Sequence, residues 1–268
     1  MSVRVKSPSE VAGIRAAGAI VAGALETAGR EVRPGVTLKR LGDACESYIR
    51  RKGGIPTFLG YRGFPAPVCV SINSEVVHGI PDSRVLVRGD IVKVDVGVTR
   101  DGLIADAART FFAGEVAAKV EALAAATEQA FWKGVAQARP GRHVTDISCA
   151  IQSYVESRGY SVVRDLCGHG VGVALHEEPS VPNFGPPGKG VRLVPGMTLA
   201  VEPMVNMGGH EVDTMDNGWT VVARDGLPSA HYENTLVVTE DGPEILTMTD
   251  AESGAANAAG RLKMEHHG

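Results

Sequence analysis

The chain has 268 residues, 44% of them hydrophobic and 22% charged, which is enough for a packed core in one or two domains. The net charge of −4 gives no global basic field, so the composition argues against a nucleic-acid partner such as DNA. The four cysteines include no CxxC pair, which excludes an all-thiolate zinc site and favours a reducing, cytoplasmic setting. Arg15 and Glu26 interrupt the apolar stretch near the N-terminus, so neither a membrane span nor a signal peptide is expected.

The first half of the chain predicts a pair of helices followed by strands. Ser7-Pro8-Ser9-Glu10 has the pattern of a capping box with proline at the first helical position, and this helix is expected to run to about Ala28. Pro34-Gly35 turns the chain, and Thr37 can cap a second helix that extends to about Arg51. Short β-rich runs bounded by turn residues predict strands at 68–72, 91–98 and 108–112.

The second half predicts the same order of elements. A helix is expected over 116–138, Pro140-Gly141 turns the chain, and Thr145 can cap a helix that ends near Arg158. Strands are predicted near 161–163, 198–203, 220–223 and 234–239.

The two halves also share short stretches of sequence. Arg33-Pro34-Gly35 matches Arg139-Pro140-Gly141 at an offset of 106 residues, and Val87-Arg88-Gly89 matches Val194-Pro195-Gly196 at an offset of 107. These matches indicate an internal repeat, although helix–Pro-Gly–helix punctuation also recurs by chance. Paired helices followed by blocks of strands are typical of an α+β fold with an antiparallel sheet. We therefore expect a pseudo-twofold sheet with two helix pairs on its outer face and a central cleft.

Five side chains with ligand chemistry stand at strand ends or between glycines. They are Asp95, Asp106, His169, Glu202 and Glu233. Four carboxylates and an imidazole cannot share a buried cleft without cations, because burying unpaired charge costs more than packing returns. Oxygen ligands with one histidine suit divalent Mn, Fe, Co or Zn. Two such ions and a bridging hydroxide would balance the acidic charge, so the set predicts a dinuclear hydrolytic metal centre in the cleft.

The other histidines are open to more than one interpretation. His78 lies in an apolar run broken by glycine and proline, which fits a core or turn histidine as well as a functional one. His176 follows His169 by seven residues and fits either a surface loop or an acid beside the metals. His143, His210 and His231 have no comparable context and are predicted to be structural or exposed.

Seven motifs carry a resemblance to a known family. They are Val76-Val77-His78-Gly79-Ile80-Pro81, Val94-Asp95-Val96-Gly97, the segment from Asp106 to Thr110, Gly168-His169-Gly170-Val171-Gly172, His176-Glu177-Glu178-Pro179, Val201-Glu202-Pro203-Met204 and Tyr232-Glu233-Asn234-Thr235. In identity, order and spacing they resemble type I methionine aminopeptidases of the M24 metallopeptidase family, over roughly residues 5–248. The 33 positions from His169 to Glu202 leave no room for the helical insertion that is typical of type II enzymes.

The resemblance implies a fold and an activity. The family has the duplicated "pita-bread" fold and uses two divalent metals to remove the initiator methionine from nascent proteins, with a small second residue preferred. We therefore expect a single catalytic domain over 1–250, with halves at about 5–112 and 113–248, and a flexible C-terminal tail over 251–268. The expected partner is the N-terminal peptide of a nascent polypeptide, with a transient ribosome contact possible, for a cytoplasmic monomer.

The resemblance also implies residue roles. By position, Asp106 and Glu233 match the residues that bridge the two metals, His169 and Glu202 match ligands of one metal, and Asp95 matches a ligand of the other. Glu202 also matches a proton shuttle for a bridging hydroxide nucleophile. The other matched positions surround the substrate: His78 and His176 match contacts to the scissile amide and the tetrahedral intermediate, and Tyr61, Phe64, Cys69, Leu175 and Trp219 match the methionine pocket.

Three positions depart from the family pattern without removing a ligand: Ile104, Leu175 and Asn234. They bear on substrate preference rather than on the reaction. Two rival interpretations remain at this stage. One is a Xaa-Pro aminopeptidase or dipeptidase of the same fold, which usually carries an additional N-terminal domain. The other is a non-catalytic binding module of this fold, in which metal ligands are typically lost.

Overall fold

The computed structural model describes residues 3–258, and its first four helices lie close to where the sequence predicts them. The helices are α1 Pro8–Glu31, α2 Leu38–Arg51, α3 Ala118–Val135, α4 Val144–Ser157 and α5 Asp250–Ala258. The predicted capping box of Ser7 and Glu10 is formed at the start of α1. The Thr37 side chain accepts a hydrogen bond from the backbone N–H of Arg40 and caps α2 as predicted.

The strands are short, and all of the pairings between them are antiparallel. Within residues 3–258 they are β1 Ile55–Pro56, β2 Cys69–Ile72, β3 Glu75–Val77, β4 Ile91–Arg100, β5 Leu103–Phe112, β6 Ser161–Val162, β7 Cys167–Gly170, β8 Glu177–Pro182, β9 Thr198–Val201, β10 Met204–Asn206, β11 Val212–Thr214, β12 Val221–Ala223, β13 Ser229–His231, β14 Asn234–Thr239 and β15 Gly242–Ile245. The predicted α+β class is confirmed by this content.

The first half is organised around the long β4–β5 hairpin. Arg100 pairs with Leu103 across a two-residue turn of Asp101 and Gly102, both of which have positive φ. A mirror-image turn of this kind matches the twist of the flanking strands, and Asp-Gly is a preferred sequence for it. β1 and β2 pair with the other edge of β4, and α1 and α2 pack together and against this sheet. A separate core of buried aliphatic side chains fills the space between them.

The second half repeats this arrangement with a five-stranded sheet in the order β15-β14-β9-β7-β8. α3 packs against α4, and both contact strands of their own half. The halves meet where β5 approaches the start of β14. There the backbones of Ala108 and Glu233 exchange two hydrogen bonds, at 3.0 and 3.3 Å, and the Thr235 hydroxyl binds both the N–H and the carbonyl of Asp106. One junction therefore joins the two halves at the position of two predicted ligands.

The prediction that Thr145 caps α4 is wrong. His143 is the N-cap residue, and its backbone N–H donates to the Asp146 carboxylate at 2.8 Å. Thr145 lies inside the first turn, where its hydroxyl donates to the Lys189 carbonyl and accepts from the Lys189 N–H. A distant loop therefore uses the hydroxyl that the local sequence pattern assigned to the helix.

The first residues of the predicted flexible tail belong to a helix. Residues 251–258 lie in α5, and residues 259–268 lie outside the described part of the chain. Thr249 and Glu252 exchange hydrogen bonds between side chain and backbone at the start of this helix, and Glu252 forms an ion pair with Arg109 at 3.0 Å. These contacts cap the helix and anchor it to β5.

α1 is, by length and composition alone, long and apolar enough to cross a membrane, which the sequence analysis did not expect. Within the fold, 56% of its most apolar 18-residue window is buried. Ile14, Ala17 and Val21 are fully buried in the core of the first half. These contacts are those of a core helix packed on a sheet.

Candidate metal centre

All of the predicted site residues line one cleft of about 190 Å³, although they come from both halves of the chain. They are Tyr61, Phe64, Cys69, His78, Asp95, Asp106, His169, Leu175, His176, Glu202, Trp219 and Glu233. A larger cavity of about 410 Å³ lies between β5, α3 and α5, but no residue predicted as part of the site lines it. The cleft is therefore the site to which the sequence motifs refer.

The first half contributes two aspartates from the β4–β5 hairpin. Asp106 on β5 pairs directly with Gly97 on β4, and Asp95 lies two residues before Gly97. Since side chains alternate along a strand, Asp95 and Asp106 point to the same face of the sheet and are diagonal neighbours. The glycine between them makes room for the cleft wall, because a Cβ at Gly97 would lie 2.5 Å from the Phe58 ring.

The second half contributes a similar diagonal pair. His169 on β7 pairs with Ala200 on β9, and Glu202 lies two residues beyond Ala200. His169 Nε2 is 3.4 Å from a Glu202 carboxylate oxygen. Glu233 comes from the junction between the halves, and Asp106, His169 and Glu233 each offer a ligand atom within 4.8 Å of the others.

Glycines on both sides of His169 allow β7 to pass close to its neighbours. A Cβ at Gly168 would lie 2.3 Å from the Ala200 carbonyl oxygen, and one at Gly170 would lie 2.4 Å from the Glu178 carbonyl oxygen. A larger residue at position 168 would push β7 away from β9, and one at position 170 would push β7 away from β8. The Gly-His-Gly motif is therefore needed to place the imidazole in the cleft.

The hydrogen bonding of His169 prepares it to bind a metal. Its Nδ1 is 2.9 Å from the Gly170 carbonyl oxygen. A carbonyl only accepts, so Nδ1 carries the proton and the Nε2 lone pair is free for a cation. Burial lowers the pKa of His169 to about 4, which keeps the imidazole neutral at neutral pH.

Among the described residues, three carboxylates of the cleft each have one oxygen without a hydrogen-bond partner. One oxygen each of Asp95, Asp106 and Glu233 is buried without a hydrogen-bond donor. Burial, followed by the charges of the neighbouring carboxylates, raises the pKa values of Asp106, Glu202 and Glu233. Desolvation raises the pKa of Asp95 as well. Orphaned oxygens and mutual repulsion are the properties of a site built for cations, so the donor set fits divalent metals.

Of the two alternatives that the sequence left for His231, structural or exposed, the structure excludes exposure. Its side chain is 1% exposed, and both ring nitrogens are buried without a hydrogen-bond partner. Its Nε2 is 3.6 Å from a Glu233 carboxylate oxygen, and Asp95, His231 and Glu233 form a second group whose ligand atoms lie within 4.8 Å of one another. The signal was present in the sequence, because residues two apart on an extended segment point to the same side.

His176 lies at the mouth of the cleft, in a loop that is fixed by the contacts of its neighbour Glu177. The Glu177 carboxylate accepts hydrogen bonds from the backbone N–H groups of Val173 and Ala174 and forms an ion pair with the buried Lys6 amine. Tyr61 Oη is 2.8 Å from His176 Nδ1. Burial, the largest cause, together with the positive guanidinium of nearby Arg62, lowers the pKa of His176 to about 3. If the tyrosine hydroxyl donates, the neutral ring carries its proton on Nε2 and can donate a hydrogen bond.

His78 enters the cleft through an unusual backbone conformation. Its φ of 58° lies in the left-handed region, directly after β3. Such a conformation is costly for a residue with a side chain and is typical of functional positions. Burial lowers its pKa, so this imidazole is also neutral at neutral pH.

An apolar pocket adjoins the acidic cluster. Phe64 and Trp219 meet edge to face with their ring centroids 5.2 Å apart. Cys69 and Leu175 are buried in the same cluster, and burial raises the pKa of the Cys69 thiol. Phe58 and Arg62 also line the cleft and were not predicted. Both lie in an irregular segment, where no periodic pattern indicates which side chains turn inward.

Comparison with known proteins defines the class. The model of metallopeptidase family M24 matches residues 12–240, so the chain belongs to this family of metallopeptidases. Prolidase from Pyrococcus furiosus has a similar structure, with a TM-score of 0.75 at 22% identity, and this chain covers 66% of its length. At that identity the likeness shows the fold, which is the predicted pita-bread fold.

Closer relatives define the branch of the family. A methionine aminopeptidase of Clostridium perfringens is 49% identical over 244 residues, which are 91% of this chain and 98% of the relative. The crystal structure of methionine aminopeptidase from Thermotoga maritima has a TM-score of 0.91 at 43% identity, over 92% of this chain and all of the other. The resemblance drawn from the sequence motifs is confirmed: within M24, the chain belongs to the methionine aminopeptidases.

Proposed function

We propose that this enzyme hydrolyses the first peptide bond of nascent proteins and releases the initiator methionine, with a small second residue preferred. The observation that carries the proposal is the convergence of all twelve predicted site residues on one cleft, in a chain of this family. The preference at the second residue is supported by the family resemblance alone. We also propose a cytoplasmic monomer that meets its substrate near the ribosome; the cytoplasmic setting is supported by the cysteine pattern as well as by the resemblance.

Two divalent ions, chosen from Mn, Fe, Co and Zn, are part of the proposal. Asp95, Asp106, His169, Glu202 and Glu233 would hold them. When bound, such ions supply Lewis acidity and lower the pKa of water, so that hydroxide exists near neutral pH. The orphaned carboxylate oxygens and the free Nε2 of His169 support this assignment.

The chain's own groups supply the proton transfers and the orientation of the substrate. The Glu202 carboxylate lies 3.4 Å from His169 Nε2 in the cleft, where it would take a proton from the attacking water and return it to the leaving amine. His176 donates to the oxygen that becomes negative in the transition state. His78 contacts the scissile amide from the opposite half of the chain, where its strained backbone holds the ring in the cleft.

The pocket explains the choice of methionine. Phe64, Leu175 and Trp219 offer an apolar surface of irregular shape beside the acidic cluster. An unbranched thioether adapts to such a surface better than a branched side chain does, and sulfur contacts with ring edges are favourable. The pocket therefore binds one apolar side chain while the carboxylates lie beside the scissile bond.

A peptide assay tests the proposed function. Metal-reconstituted enzyme is expected to release methionine from Met-Ala-Ser, to act poorly on Met-Leu-Ser and to leave Ala-Pro-Ser intact, with free amino acids measured by chromatography. The protein without metal serves as the control. Preferential cleavage of Ala-Pro-Ser would instead support the Xaa-Pro enzymes of the same fold. Binding of Met-Ala-Ser without turnover would support a binding module.

The role of His176 can be tested separately. His176→Ala is expected to lower kcat by roughly 10²–10³, because one donor to the developing oxyanion is lost. KM should change little, and steady-state kinetics on Met-Ala-Ser separate the two constants. His210→Ala, which removes a half-buried imidazole outside the cleft, is the matched control. An unchanged kcat in His176→Ala would rule out the proposed contact.

A further inference from the structure

The geometry points to His231 as a sixth protein ligand of the metal centre, bound to the cation on the Asp95 side. This inference rests on the proposed metal centre and extends it. It concerns a residue of this chain that lies outside the predicted set of five ligands.

The position of His231 is determined by its backbone. The residue ends β13, where it pairs with Met204 of β10. Its N–H donates to the Thr110 hydroxyl at 3.1 Å, and the same hydroxyl donates to its carbonyl at 2.8 Å. The backbone of His231 is thus held from two sides by β10 and β5, and its imidazole lies within ligand distance of Asp95 and Glu233. A backbone that is fixed in advance reduces the entropy lost when the residue binds an ion.

The ring nitrogens of His231 have no other partner within the described residues. Both are buried and unpaired, and the nearest carboxylate oxygen, on Glu233, is 3.6 Å from Nε2. That distance is too long for a hydrogen bond, so the imidazole does not serve simply to orient Glu233. Leaving a buried polar group unpaired costs free energy, and such groups call for an unseen partner. A cation between Asp95, His231 and Glu233 would provide it.

With His231 included, the two halves of the centre become alike. One group consists of Asp106, His169 and Glu233, and the other of Asp95, His231 and Glu233. Each then offers one imidazole together with carboxylates. Imidazole favours Fe, Co and Zn, whereas a site made of oxygen ligands alone suits Mg and Mn. His231 therefore shifts the second position towards the borderline transition metals.

Spectroscopy on the wild-type protein provides the first test. The chain is stripped with a chelator and reloaded with Co²⁺, and the solvent-exchangeable imidazole N–H signals shifted by the paramagnetic ions are counted by proton NMR. Two such signals are expected, from His169 and His231. The single signal of His169 alone would overturn the inference. No variant is needed for this count, so it does not depend on the folding of a mutant.

Metal affinity provides the second test. In His231→Gln, the Kd of the more weakly bound Co²⁺ should rise by about 10- to 100-fold in a chelator competition titration. The Kd for Mn²⁺ should rise less. His210→Gln, at a half-buried histidine outside the cleft, is the control and should leave both constants unchanged. Equal Co²⁺ and Mn²⁺ affinities in His231→Gln and wild type would contradict direct ligation.

A third measurement guards against a merely structural effect. In His231→Ala, free imidazole added to the buffer should restore Co²⁺ affinity, because it can occupy the space of the missing ring. A repacked or partly unfolded variant would not respond in this way, and the absence of rescue in a variant with the wild-type circular dichroism spectrum counts against the inference. The failure of the proposed function itself would look different: wild-type protein would bind no metal, and His169→Gln would have no effect on binding.

Discussion

Replacing Glu202 by glutamine is expected to lower kcat by at least about 10²–10⁴, the usual contribution of a positioned acid or base. The change keeps the size of the side chain but removes the group that transfers the proton. It also removes an anionic ligand, so the bound metal should be measured in the same preparation. Steady-state hydrolysis of Met-Ala-Ser gives the rate, and circular dichroism shows whether the fold is retained.

The control for this experiment is Glu240→Gln, which makes the same chemical change at an exposed turn. It should leave kcat and metal content unchanged. His169→Ala should also abolish turnover, because it removes the free Nε2 beside Glu202. Near-normal kcat in a metal-loaded Glu202→Gln variant would remove Glu202 from the proposed proton path.

Metal removal is expected to lower the thermal stability of the protein as well as its activity. At a free metal concentration 100 times Kd, binding to the folded state alone stabilises it by about 2.7 kcal/mol. For a domain of this size, that corresponds to a Tm shift of roughly 5–10 °C. The physical cause is the carboxylate cluster: besides burial, Glu233 and Asp95 raise the cost of ionising Asp106, and Glu202 and Asp95 raise that of ionising Glu233, until cations bind. Differential scanning calorimetry with and without added metal measures the shift.

Calorimetry of the Asp106→Asn variant tests whether the charge of the carboxylate cluster causes the Tm shift. The variant lacks one charge of the cluster, so its metal-free form should melt above metal-free wild type, while added metal should shift its Tm much less. Asp241→Asn, in the exposed turn between β14 and β15, should behave like wild type in both conditions. A metal-free wild type that is as stable as the loaded protein would show that the acids are not held together by cations.

The helices were the part of the fold that local sequence predicted best. Ser7 and Thr37 are the N-caps of α1 and α2 as expected, because capping depends on residues within one turn of the helix. The turn of the β4–β5 hairpin is local in the same sense, since Asp101 and Gly102 prefer the turn that they form. The prediction that Thr145 caps α4 was wrong because the backbone of a distant residue, Lys189, binds its hydroxyl. The short strands β7, β8, β10 and β13 were missed, since strand pairing involves residues far apart in sequence.

The residues of the candidate site also fall into those that the sequence indicates and those that only the fold reveals. Asp95, Asp106, His169, Glu202 and Glu233 were recognised from motifs, and the structure brings them together. The sequence around His231 lacks the glycines that mark His169, so no local motif indicates a ligand there. Only the fold brings Asp95, from the other half of the chain, within ligand distance of His231. Phe58 and Arg62 were missed because the irregular segment that carries them has no periodicity.

By itself, the sequence determined the chemistry of this protein: four acids and a histidine placed at strand ends, two helix pairs with their caps, and a repeat that implies a shared cleft. These are properties of residue type and local spacing. Only the tertiary structure decided which groups meet. The exchange of hydrogen bonds between Ala108 and Glu233 sets the distance between the halves, and with it the places of Asp95 and His231. The reason is physical, because contacts between distant segments depend on how both halves pack, and no local pattern encodes that distance.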